Sequence, residues 1–363
     1  MEELLTWLQP EPTYPRIFAK ESRSFMISED NQVYSCGDNE YRQLGLGDDR
    51  NRNRWTLVPI PGAVITVIMG EFHSFLHLEN GRVYACGANG NGQLGLGDNQ
   101  DRNRWTLVPT PGAVAHVVAG YFHSLLLLED GRVYACGFNL YGHLGLGDNQ
   151  DRNQWTLVPT PGAVAQVIMG SVCSFLILED GQVYSCGGNG YGQLGLGDVQ
   201  NRDRWTLVPT AGAVVQVITG GNHSFLLLED ERVYACGANW FGQLGLGDVQ
   251  KHNQWTLVPT PGAVSQVIAG DRYSFLLLEN GQVYSCGNNG DGQLGLGDEQ
   301  NRNQWTLVPT PGTVAQVIAG AAHSFLLLED GRVYACGYNG VGQLGVGDNK
   351  SYNHWTLVPT LDQ

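Results

Sequence analysis

The chain has 363 residues, 50 of them glycine, with 42% hydrophobic residues and a formal net charge of −15. That charge disfavours nucleic acid and anionic membranes as partners, because both reward basic patches. No apolar run approaches the ~20 residues of a membrane helix, and Met1-Glu2-Glu3-Leu4-Leu5 lacks the basic and then apolar opening of a signal peptide, so a cytoplasmic or nuclear protein is expected.

Residues 1–14 stand apart: Glu2 to Leu8 reads as a short helix or a worn-down outer strand, and is expected to cap a ring closure. From residue 15 to 363 a fifty-residue unit recurs in phase. Tyr-Ser/Ala-Cys ends at Cys36, Cys86, Cys136, Cys186, Cys236, Cys286 and Cys336, and Trp-Thr-Leu-Val-Pro begins at Trp55, Trp105, Trp155, Trp205, Trp255, Trp305 and Trp355. Such a period signals a propeller, a solenoid or an array. Its copies must bury their faces against one another, so the repeats make one domain.

The unit Ala115–Thr160 contains four strand-like pieces. His116 to Ala119 is stopped by Gly120, and the apolar run Ser124 to Leu128 ends in the turn Glu129-Asp130-Gly131. Arg132 to Cys136 follows, then a glycine-rich stretch and polar loop, then Trp155 to Pro159. The second piece is apolar on both faces, as for a small sheet sandwiched between neighbours. The expected fold is therefore all-β: a closed seven-bladed β-propeller of four-stranded antiparallel blades. Ring closure by side-by-side contact or by strand exchange both fit the sequence.

Residues present in every copy are first of all scaffold. Seven cysteines share one repeat position and would lie one per blade, too far apart to pair. Cys173 is the eighth, no Cys-x-x-Cys occurs, and reduced, metal-free thiols are expected. His73, His123, His223 and His323 share another position beside a serine. Their recurrence suggests side chains bonded to backbone between strands, and His77 reads as a core histidine. The repeated Asp48-type residues read as caps of backbone amides.

Gly-x-x-His-Ser (Gly120–Ser124), Gly-Arg-Val-Tyr-Ala-Cys-Gly-x-Asn (Gly131–Asn139) and Gly-Gln-Leu-Gly-Leu-Gly-Asp (Gly92–Asp98) resemble the repeat of the RCC1 family of seven-bladed propellers, over residues 17–360. The family includes a guanine-nucleotide exchange factor for the GTPase Ran, propellers within ubiquitin ligases, a plant ultraviolet photoreceptor and bacterial effectors. The resemblance implies the fold and a habit of binding proteins, not one activity. The constant spacing leaves no room for the β-wedge of the Ran exchange factor. No Trp stands in the Gly-x-x-His-Ser loops, where the photoreceptor clusters its tryptophans.

Specific function must lie where the copies differ. Antiparallel order sends the first-to-second and third-to-fourth connections to one face, and the variable positions fall there. Blade one offers Glu21, Ser22, Arg23, Asp38, Glu40, Tyr41 and Arg42, and blade two Glu71, Phe72 and Asn91. Blade three has Tyr121, Phe122, Phe138, Leu140, Tyr141 and His143, and blade four Ser171, Val172, Cys173 and Tyr191. Blade five has Asn222, Trp240 and Phe241, blade six Asp271, Arg272, Tyr273, Asn288 and Asp291, and blade seven Tyr338. Blades three to five read as an aromatic arc, and six, one and two as a mainly acidic one.

Exposed rings beside charges suit a protein interface. No phosphate loop, zinc spacing or unique catalytic set is present. The expected function is a non-catalytic, monomeric protein-binding platform with no cofactor. The alternative is regulation or nucleotide exchange on a small GTPase of the Ran or Rab type.

Overall fold

Each repeat folds into one antiparallel sheet of four consecutive strands, because short β-branched and aromatic runs are punctuated by glycine turns. A computed structural model describes residues 15–359; residues 1–14, and with them the expected cap, lie outside the described residues. In blade one the strands are Arg16–Lys20, Arg23–Ile27, Val33–Gly37 and Arg52–Leu57, and six more such sheets follow around the ring. Among the described residues no helix is long and apolar enough to cross a membrane.

The second strands are buried along their full length, as the two-sided apolar runs require. The fourth strand differs from its sequence reading. It spans Arg152–Leu157 in blade three, starting earlier and stopping before Pro159. Arg152 pairs with Gly137 across a register shift, while Pro159 has no N–H to continue the ladder. This outermost edge is blunted a second way: the Thr156 hydroxyl donates to the Gln154 carbonyl at 3.2 Å, and each blade repeats the contact.

The apolar core lies between blades rather than within them. Leu125, Leu127, Val133 and Ala135 of blade three pack on Val164, Val167, Leu176 and Leu178 of blade four. The same cluster at the seventh seam joins Ile17 and Met26 to Ile318, Phe325 and Leu327. Three polar stitches reinforce every seam. The Ser124 hydroxyl donates to the Gln93 carbonyl at 2.8 Å, the Cys136 thiol points at the same oxygen at 3.5 Å, and the Gly97 amide donates to Asn153. Further out, the Trp155 ring lies flat against Gly95, where a Cβ would stand 2.5 Å from the indole. Gly95 has φ +66°, a conformation that glycine adopts without the cost a Cβ would add.

Ring closure uses these same contacts. Ser24 donates to the Gln343 carbonyl at 2.9 Å, Trp55 packs on Gly345, and the Gly347 amide donates to Asn53. Blade one takes all four strands from one end of the described chain and blade seven takes its four from the other. Among the described residues closure is side by side, without strand exchange.

All eight cysteines are buried and unpaired. Burial pushes their thiols up, Cys173 to about 12, so little nucleophilic thiolate exists at neutral pH. The folded protein should therefore resist iodoacetamide, and denaturation should expose eight reactive thiols. Rapid labelling of the native state, read by intact mass, would contradict this burial.

Candidate partner-binding face

The variable residues sit on loops whose backbone is pinned. In blade one the Asn39 side chain donates to the Asp48 carbonyl at 2.9 Å and accepts from the Leu44 amide at 2.9 Å. Asp48 accepts from the Arg50 amide and holds Arg52 at 2.6 Å, and the Arg52 bond keeps its carboxyl below the usual range. The caps expected of the Asp48-type residues are thus present. With Asn and Asp fixing each third-to-fourth loop, the positions between them can vary without reshaping it.

At the first-to-second loops, the residue after each glycine reaches the neighbouring blade. The Tyr121 amide donates to Ser171, Glu71 to Gly120, Gly221 to Asp271 and Ala321 to Glu21. These residues thus form a ring around the propeller axis, which narrows to a cavity of about 20 Å³ lined in part by Lys20, Glu21, Ser171 and Asp271. Burial lifts the Glu71 carboxyl to about 8, with Glu21 and Asp271 adding repulsion. Glu21 and Asp271 are themselves raised by burial, opposed most by Lys20 and Arg272 respectively.

The next position outward carries an aromatic ridge. Tyr41 of blade one meets Phe72 of blade two at a centroid distance of 4.5 Å, and Phe72 stacks on Phe122 at 5.2 Å. The ridge continues through Phe138 at 6.3 Å to Tyr141 at 6.2 Å. Tyr41 is 44% exposed, Tyr141 38% and the adjoining Leu140 55%, while Phe72, Tyr121, Phe122 and Phe138 are half-buried. Beyond it, Tyr191 meets Trp240 edge-on at 4.8 Å, and Arg272 covers Phe241 at 5.7 Å while pairing with Asp271 at 3.2 Å. Asp38 accepts from Gln43, and Glu40 is exposed beside Tyr41.

This geometry corrects the two-arc reading. The continuous aromatic surface runs over blades one to three, because the third-to-fourth loop of one blade leans over the first-to-second loop of the next. Blades four and five contribute a separate pair. Tyr338 folds back on Gly340 of its own loop, and Asp291 is half-buried near Glu299, its carboxyl raised mainly by burial.

A second correction concerns Arg23, Cys173 and Tyr273, which share the histidine position. They begin the second strand and turn into the seams, not onto the face. Arg23 is 1% exposed and gives its guanidinium to the carbonyls of Gly70 and His73 at 2.8 and 2.7 Å, and to that of Glu71. Tyr273 is fully buried, with its hydroxyl 2.6 Å from the His323 carbonyl. His143 and Ser171 are buried too.

Three of the four recurrent histidines bond a serine side chain across the seam. His73 Nε2 lies 2.9 Å from Ser124 Oγ of the next blade, and His223 and His323 repeat this with Ser274 and Ser24. His123 lacks that partner and lies 4.1 Å from the His143 ring. Cys173 is too short to reach, and Thr219 stands against Gly170 beside it. His77 is buried in its core strand. Among the described residues no three His, Cys, Asp or Glu side chains converge to hold a metal ion.

Family models agree with this architecture. The RCC1-like domain matches residues 114–308, and the RCC1 repeat matches residues 30–76, 80–127 and 330–363. The chain belongs to the RCC1-repeat family. Among solved RCC1-type propellers, human WBSCR16 is similar over 91% of this chain and 94% of its own, with TM-score 0.81 and 22% identity. Yeast RCC1 (Prp20), bound to Kap60, reaches TM-score 0.82 at 21% identity, covering 97% of this chain and 86% of that one. Prp20p from Saccharomyces cerevisiae on its own gives TM-score 0.81 at 21% identity, over 96% and 88%. These similarities establish the fold. No curated protein matches the chain by sequence.

Proposed function

We propose that this RCC1-repeat propeller is a non-catalytic protein-binding platform working through its variable loop face. One observation carries the reading: the backbone of that face is pinned identically in successive blades, while its side chains form a ridge of different rings, exposed at Tyr41 and Tyr141 and half-buried between them, with carboxyl groups beside it. Rigid aromatic anchors on a fixed scaffold lose little entropy on binding. The reported complex of yeast RCC1 with Kap60, and the binding of Prp20p to Gsp1p and histones, support a protein partner.

Replacing the exposed rings Tyr41, Tyr141 and Trp240 with serine should abolish partner binding. Each change should move stability by no more than about 0.5 kcal/mol, as for other surface positions. The half-buried Tyr121, Phe122, Phe138 and Phe241 are poorer probes, since removing them also disturbs packing. A partner captured from cell extract, identified and purified, should bind the native protein and not the triple variant. Equal binding to both would sink the platform reading. The family's alternative, regulation of a small GTPase, is tested by release of labelled nucleotide from purified GTPases. Acceleration at substoichiometric protein would replace the passive platform with an exchange factor.

A further inference from the structure

We propose that the aromatic ridge from Tyr41 to Tyr141 docks an extended cationic peptide segment, whose arginine or lysine side chains stack on the rings and pair with the carboxylates beside them. This rests on the platform reading and specifies the chemistry of the partner. The rings are contiguous, with successive centroids 4.5 to 6.3 Å apart. The first two contacts are tilted and stacked and the last two edge-on, and they follow one another from blade one to blade three rather than facing one point, which suits an extended chain better than a single inserted group.

Charge selects the occupant. Asp38 and Glu40 stand at the Tyr41 end, and Glu71 precedes Phe72 on the axial side, near Glu21. The cations nearby are already engaged. Arg42 lies 3.7 Å from Asp101, Arg23 is buried against carbonyls, and Lys20 lines the axial cavity beside Glu21. Arg272 is held by Asp271 and Phe241 in another sector. A purely apolar partner would desolvate the ridge carboxylates without replacing their water. A second copy of a chain with net charge −15 would bring like charge to the same place. A basic segment satisfies rings and carboxylates together, and its approach would be hastened by the field. Glu71, held mostly protonated at neutral pH by burial and its neighbours, would ionise and release its proton as the cation arrives.

The test is selection of a random dodecapeptide library on the full-length protein, followed by affinity measurement of the enriched peptides. We expect peptides with net positive charge. Their affinity should fall at least about tenfold with Tyr41→Ser or Tyr141→Ser, the loss typical of a hot-spot ring, and severalfold with Glu40→Gln. Trp240→Ser, on the same face but off the ridge, should leave it unchanged. Calorimetry in buffers of different ionisation enthalpy should show proton release that Glu71→Gln removes. Because Glu40 is exposed, Glu40→Gln keeps the test valid should a ring variant misfold. Neutral or acidic peptides that still need Tyr41 would overturn the cationic partner and leave the platform standing. No enrichment, or binding indifferent to the ridge variants, would overturn the ridge as a docking site. The native-partner experiment judges the platform separately.

Discussion

Acidification to about pH 4.5 should destabilise this ring. His73, His223 and His323 are buried in the seams, and burial is the main force holding each down at about 3. In the unfolded chain they return to about 6.5. A histidine whose folded pKa is depressed contributes its full stability above the unfolded value, and loses it as pH falls below. Each buried ring then costs about 1.4 kcal/mol per pH unit. Three of them act together, an effect on the order of several kcal/mol before the opposing groups are counted. His123 and His143, also lowered by burial, act in the same direction.

Glu21, Glu71 and Asp271 oppose this, since carboxyls raised in the fold stabilise it as they take up protons. They are only partly buried, and solvent discounts their share. The lowered Asp48-type carboxylates lose their contribution only below about pH 4. Urea unfolding at pH 7, 5.5 and 4.5 should therefore show a steadily falling midpoint. His223→Gln should flatten the slope. A midpoint that holds or rises on acidification would show that the imidazoles find partners once charged.

The second large effect is expected where Trp155 crosses the seam onto Gly95. Gly95→Ala places a methyl 2.5 Å from the indole at φ +66°, so strain and displacement of the ring act together and should cost more than 2 kcal/mol. Trp155→Ala removes the ring and leaves a void at the blade edge, for about 3 kcal/mol. The double variant should be less damaged than the sum of the two, because the methyl then occupies space the indole has left. A coupling of about 1 kcal/mol or more is expected for side chains in direct contact. Strict additivity in chemical denaturation would mean that the ring and the glycine do not meet in solution.

Much of this was legible in the sequence, for a physical reason. A strict period shows which positions are equivalent, and a twice-buried strand shows that sheets must stack, so blade number, strand order and the loop face all follow. The Asp48 caps were legible as turn chemistry, whereas the Asn39 pin, which reaches across the same loop, was not. What the period conceals is the neighbour that a side chain meets across a seam. Arg23, Cys173 and Tyr273 looked like face residues because they interrupt a repeated histidine, whereas the first residue of the second strand turns inward whatever its type. Contacts from Tyr41 to Phe72, thirty-one positions apart, depend on how far one loop leans over the next blade. The burial of Tyr273 was foreshadowed by its residue type, since an apolar ring with one hydroxyl suits a seam that offers carbonyls. Arg23 gave no such signal.

The seventh seam, made of the same serine, glycine and tryptophan contacts as the other six, has a topological meaning. A ring fastened by a shared strand has a clasp, and its chain must begin and end there. This ring has none among its described residues. Any of its linkers is then an equally good place for a chain to start, and rotating the gene by one repeat would trace the same circle from another point. The unit of inheritance is the seam and not the blade: a copy added or lost intact keeps every remaining seam in register, and what must adjust is the curvature of the circle.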